Sequence, residues 1–203
     1  MKQTNDDIPP TEINEGQSIL NIRPKIIWMT RTAVFIALLI VLQAVSGMAG
    51  NQLVTGTVVN AILAVNVMTC GLSSGLTLAA ISPILAGLFG IGPHWALIPF
   101  IAIGNMVFVL LWDTIGRRVG KKRILGLISA LVLAATTKFI VLFLGVVEIA
   151  VPLILELDEA RAAVITAMFS VPQLITATSG GAIALIIISG YGKIIERVKR
   201  GTV

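Results

Sequence analysis

Charge is what this sequence lacks most. Of its 203 residues only 12% are Asp, Glu, Lys or Arg, 56% belong to the hydrophobic set, and the mean hydropathy is +0.97. Soluble domains carry roughly twice that charged share. A soluble globule must turn much of its surface to water, so no soluble fold of this length conceals so much apolar surface. Cys70 is the single cysteine, which excludes an internal disulfide and a multi-cysteine metal site. Histidine is as scarce, with His94 alone, and aromatics amount to 5%. These shortages leave one class, a single membrane-embedded unit.

What charge there is leaves long gaps. No Asp, Glu, Lys or Arg lies between Arg31 and Asp113, and none from Ala162 to Gly192. A helix crosses the hydrocarbon core with about 20 apolar residues, satisfying its backbone within the segment. Turn-forming clusters at residues 46–51, 71–75 and 90–94 divide the long run. The expected spans are Ile26–Ser46, Gln52–Cys70, Leu76–Gly90, Trp95–Ile115, Ile124–Val147 and Ala163–Tyr191. The third is short and carries Pro83, so it is expected to be kinked or buried among its neighbours, and Pro172 allows a kink or an aslant outer half in the sixth. The polar leader is too long for a signal peptide. Continuous apolar runs without alternation argue against a β-barrel.

Thirteen of the fifteen basic residues fall on one side of this arrangement. They are Lys2, Arg23, Lys25, Arg31, Arg117, Arg118, Lys121, Lys122, Arg123, Lys193, Arg197, Lys199 and Arg200. Glu148, Glu156, Asp158 and Glu159 fall on the other. Basic loops stay cytoplasmic, so an all-α protein with six transmembrane helices and both termini cytoplasmic is expected. Residues 1–24 read as a disordered cytoplasmic tail, 25–192 as the membrane domain, and 193–203 as a basic cytoplasmic tail. Basic residues so placed are topological anchors, which removes nucleic acid as a partner and makes the lipid bilayer one.

Polar side chains inside spans are costly and face a bundle interior or a cavity. Here they are Asn60, Asn66, Asn105, Lys138 and Gln173. At 1.5 Å per residue, Asn60 and Lys138 lie roughly 12 Å from the outer end, and Asn105 and Gln173 about 16 Å. Four helices thus offer polar groups at a similar depth, as an outward-facing pocket requires. The competing reading is interhelical glue, with Lys138 snorkelling or paired with Glu148. Asn66, deeper still, reads as glue. Asn51, Gln52, His94 and Trp95 stand at the expected pocket mouth. A lone loop histidine is usually solvated, and Trp28, Trp95 and Trp112 suit an interfacial belt.

No catalytic constellation occurs: no metal-spaced His/Glu pair, no phosphate-cradling loop with a lysine, and no nucleophile with a base. An enzyme, a resident metal and a cofactor are therefore not expected. Without an ATP-binding motif, uphill transport would draw on an ion gradient or another subunit. No repeat of three plus three spans marks an ion-coupled carrier. Ala33 and Ala37, four residues apart, form a small-residue face on the first span where another helix can approach closely. Packing inside the bundle would explain them equally well.

Across roughly Arg31 to Tyr191 the chain resembles the substrate-binding S components of energy-coupling factor (ECF) transporters, bacterial vitamin importers related to ABC transporters. The resemblance rests on the basic residue before Ala33-x-x-x-Ala37, the Gln52-to-Asn60 opening of the second span, Gly71-Leu72-Ser73-Ser74-Gly75-Leu76 leading to Ser82-Pro83, and Gly92-Pro93-His94. It implies a multi-pass bacterial cell-membrane subunit that binds a water-soluble vitamin from outside with high affinity. Its partners would be a transmembrane coupling subunit, docked at Ala33 and Ala37, and two cytoplasmic ATPases. The site would lie in the outer half, under the loops after the first and third helices. That agrees with a substrate site of Gln52, Asn60, Trp95, Asn105, Lys138 and Gln173. Scarce aromatics argue against thiamin and riboflavin, and the motif usual in folate-type members is absent. An amide-rich pocket suits the amide-fringed corrin, so cobalamin is expected first and hydroxymethylpyrimidine next. The alternatives are a self-contained carrier or channel, or a membrane scaffold.

Overall fold

A computed structural model describes residues 10–92, 94–118, 123–199 and 201, and every regular element among them is helical. The order is α1 (Pro10–Met48), α2 (Gln52–Cys70), α3 (Leu72–Leu88), α4 (Ile98–Arg118), α5 (Arg123–Leu142), α6 (Val151–Leu153), α7 (Glu159–Met168) and α8 (Val171–Lys199). A 3₁₀ turn at Trp95–Leu97 leads into α4, and a π-helix at Phe143–Ala150 joins α5 to α6. Five of the described helical segments are long and apolar enough to cross a membrane, and Leu72–Leu88 is a shorter apolar helix. The outward faces suit lipid: Val34, Val41, Val45, Val132, Leu133 and Ile186 are each at least half exposed. This is an all-α, multi-pass membrane protein.

Three boundaries depart from the sequence expectation. Helix α1 begins at Pro10, well before Ile26, so residues 10–24 continue the first span as helix. A helix already nucleated by the apolar run extends at little cost, since each added residue gains a hydrogen bond. Residues 1–9 of the expected tail lie outside the described residues, as do Lys121, Lys122 and Arg200. Helix α3 starts at Leu72, because the single residue Gly71, at φ +96°, makes the whole connection from α2. The sixth span is two helices broken at Phe169 and Ser170. Pro172 stands in the first turn of α8, where a missing N–H breaks no intrahelical bond.

Packing centres on α2, which contacts α1, α3, α4 and α8. The α2–α8 contact is close because of Gly180: a Cβ there would stand 2.5 Å from the Thr57 carbonyl oxygen and 2.6 Å from Asn60 Cβ. The main core gathers Leu39, Leu63, Val67, Phe108, Trp112 and Leu127. Trp112 is therefore no belt residue. Its ring is fully buried, 6.2 Å from that of Phe108, beneath the gap left by Gly181. A smaller core of Leu97, Leu142, Val146, Ala150, Leu155 and Phe169 closes the other end of α4 and α5.

Glue is present where Asn66 suggested it. Asn66 Nδ2 donates to Ser74 Oγ at 3.0 Å, and Thr32 Oγ1 donates to the same oxygen at 2.9 Å, tying α1, α2 and α3. At the same end Arg117 donates from Nη2 to the Val67 carbonyl at 2.6 Å and from Nε to Asp113 Oδ1 at 2.5 Å. A cation there complements the C-terminal end of α2.

Candidate functional site

Lys138 sits on α5 and is 3% exposed. Its Nζ donates to Asn60 Oδ1 of α2 at 2.5 Å and to Asn105 Oδ1 of α4 at 2.6 Å. The Phe108 ring lies 5.4 Å from Nζ, close enough for a cation–π attraction. Snorkelling is excluded by this burial. Pairing with Glu148 is replaced by the two amides, since Glu148 is exposed on the π-helix.

The bonding continues into α3 and α1. Asn105 Nδ2 donates to Ser82 Oγ at 3.0 Å and reaches the Ala79 carbonyl at 3.5 Å. That carbonyl lacks its usual helical partner, because residue 83 is proline and has no N–H to offer. Gln43 Nε2 of α1 donates to the Ser82 carbonyl at 3.2 Å. One chain of polar groups, Gln43, Ser82, Asn105, Lys138 and Asn60, thus runs through α1, α3, α4, α5 and α2. Polar groups buried this deep persist only when mutually satisfied. Within this chain of groups Gln43 Oε1 is the exception: buried, with no partner among the described residues.

A cavity of about 730 Å³ opens above this chain, lined by all five of its members. Such a volume lies in the range of about 300–1,000 Å³ usual for small-molecule sites. Its rim comes from the connections after α1 (Gly50, Asn51) and after α3 (Gly90, Ile91, Gly92), and from the α7–α8 elbow (Met168, Phe169). Gly50 at φ +64° and Gly90 at φ +67° give these connections their sharp turns. The connection after α3 reaches the last turn of α1, since Ile91 packs directly against Gly47.

The expected site residues divide unevenly. Asn60, Asn105 and Lys138 converge in one cluster, while Gln173 and Gln52 line the same cavity without joining the cluster. Gln173 donates Nε2 to the Met168 carbonyl at 3.2 Å and so braces the elbow. Gln52 is exposed at the first turn of α2, where Asn51 caps the helix by accepting from Leu53 N at 2.9 Å. Trp95 does not line the cavity: it is 56% exposed, with its ring edge near Gly87. His94 also stands off the lining and caps the 3₁₀ turn, Nδ1 accepting from Ala96 N at 3.3 Å.

Two participants escape sequence reasoning, Gln43 and Ser82. Gln43 falls three residues before the Ser46–Asn51 turn cluster and so reads as part of a helix end. The available signal was that it is the one amide in the apolar part of α1. Ala33 and Ala37 are both exposed on α1. No family model, no curated protein and no solved structure matches this chain.

Proposed function

We propose that this chain is the membrane-embedded substrate-binding component of an ECF-type importer, taking a water-soluble vitamin or vitamin precursor from outside the cell. The observation that carries this reading is the cavity built on the Lys138 cluster. Five helices place polar groups on one buried floor, and three connections contribute residues to the cavity lining. Among the described residues lining the cavity there is no His, Cys, Asp or Glu to act as base or metal ligand, so the arrangement suits capture better than chemistry.

In this reading six helical segments cross a bacterial cell membrane: α1, α2, α3, α4, α5 with its π-helix, and α8. Both termini are cytoplasmic, by the one-sided placement of thirteen of the fifteen basic residues. The cavity mouth then faces outward. The exposed Ala33 and Ala37 face supports a transmembrane coupling subunit as a partner, with two cytoplasmic ATPases supplying energy. A cavity of about 730 Å³ favours a compact vitamin or vitamin precursor. A corrin with its nucleotide tail would stand partly outside it.

Native mass spectrometry of the purified protein tests the reading. A co-purified vitamin-sized compound, released by Lys138→Met, is the expected result. Ligand-free protein that binds no vitamin on titration would overturn it.

A further inference from the structure

We infer that the cavity takes a small carboxylate, whose charged group completes the surroundings of Lys138. The inference rests on reading this cavity as the substrate site. It begins from an imbalance of charge. Lys138 is 3% exposed, yet both of its hydrogen-bond partners are neutral amides. Among the described residues lining the cavity there is no Asp, Glu, Arg or second Lys. The ion pairs found among the described residues lie elsewhere, Arg117 with Asp113 and Arg161 with Asp158. A cation held inside a membrane-spanning bundle without a counter-charge is costly, and such groups mark ligand sites by default.

The two amides do not neutralise Lys138, but they aim it. Their oxygens accept two of the three N–H donors of an ammonium, leaving one for whatever enters the cavity. Asn105 is itself held by Ser82, so Nζ is fixed before a ligand arrives. One open donor on one cation matches a carboxylate. A phosphate dianion would carry a second charge that no second cation among the described lining residues balances. Gln43 lines the same cavity and its buried Oε1 has no partner among the described residues, which leaves an acceptor for an N–H or O–H on the ligand. The ligand class is therefore a compact monocarboxylate with an apolar body and at least one donor group.

The test is calorimetric titration of the purified full chain with matched acids and neutral congeners: nicotinate and nicotinamide, pantothenate and pantothenol, biotin and biotinamide, lipoate and lipoamide. At least one acid should bind about tenfold or more tightly than its neutral congener. In Lys138→Gln, which keeps hydrogen-bond donors but loses the charge, that preference should fall to about one. Asn60→Asp provides a second route: an internal carboxylate beside Nζ should abolish the same preference. Neutral congeners binding as well as acids, no acid binding at all, or a preference that survives a folded variant would each overturn the inference. Failure of the importer reading looks different. An acid preference with uptake that needs no ATPase subunits removes the partners and leaves the carboxylate site standing. ATPase-dependent uptake confined to neutral compounds removes the carboxylate site alone.

Discussion

Pro83 frees the carbonyl that Asn105 reaches: lacking an N–H, it leaves the Ala79 oxygen of α3 open to Asn105 Nδ2 at 3.5 Å. A helix interior normally disfavours proline by about 3 kcal/mol or more. Here the loss of one backbone bond on α3 helps position an amide on α4, which in turn orients Lys138 on α5. Pro83→Ala should restore the backbone bond, raise thermal stability, and weaken ligand binding about threefold or more by loosening Asn105. A melting curve and a titration on the same preparation check both halves. Higher stability with unchanged affinity would separate the proline from the site.

Removing either polar partner tests the floor of the cavity directly. Lys138→Met and Asn105→Leu should each weaken ligand binding by about tenfold or more, near 1.4 kcal/mol. Both variants should elute as folded protein on gel filtration, because apolar replacements suit a membrane interior. Wild-type affinity in both would reduce the cluster to interhelical glue.

At Gly180, α8 passes close to Asn60, which accepts from Lys138. An added methyl would collide with the Thr57 carbonyl oxygen and with Asn60 Cβ, at 2.5 and 2.6 Å. Backbone cannot yield as a side chain tip does, so Gly180→Ala should cost about 1–3 kcal/mol of stability. It should weaken binding as well, by shifting Asn60. Gly190→Ala, with nothing within 4 Å of an added Cβ, is the control and should leave both unchanged.

Orientation is open to chemical labelling. With Cys70→Ser as background, cysteines at Arg118 and Lys199 should resist a membrane-impermeant thiol reagent in intact cells. A cysteine at Asp158, which caps α7 and is exposed, should react. Labelling at residue 118 would remove the six-crossing arrangement with cytoplasmic termini.

Ala33 and Ala37 are exposed on α1, away from the Lys138 cluster. Ala33→Trp combined with Ala37→Trp places bulk where a partner helix must approach closely. Co-purification with a coupling subunit and uptake of radiolabelled vitamin should fail, while titration of the isolated protein stays near wild type. Retained uptake would remove the docking role. Lost binding would place the alanines in the internal packing of this chain.

The class of this protein was legible from its sequence because it follows from composition. Charge gaps longer than a bilayer is thick, with lysine and arginine gathered at their ends, admit only spanning helices. The membrane also made Asn60, Asn105 and Lys138 legible, since each is conspicuous where polar groups are costly. Which of them meet was decided by tertiary structure. Glue and ligand site draw on the same residue types, and only helix packing puts Asn60, Asn105 and Lys138 within hydrogen-bond reach of one another. Gln43 and Ser82 joined them unannounced, one near a helix end and one beside a proline, places where a polar residue has ordinary local reasons to stand. Trp95 and Trp112 show the same limit from the other side. A tryptophan near a span end satisfies an interface, a pocket or a core equally well in one dimension. The fold leaves Trp95 exposed and buries Trp112 against Gly181, because the choice depends on which neighbouring helix is small enough to receive the ring.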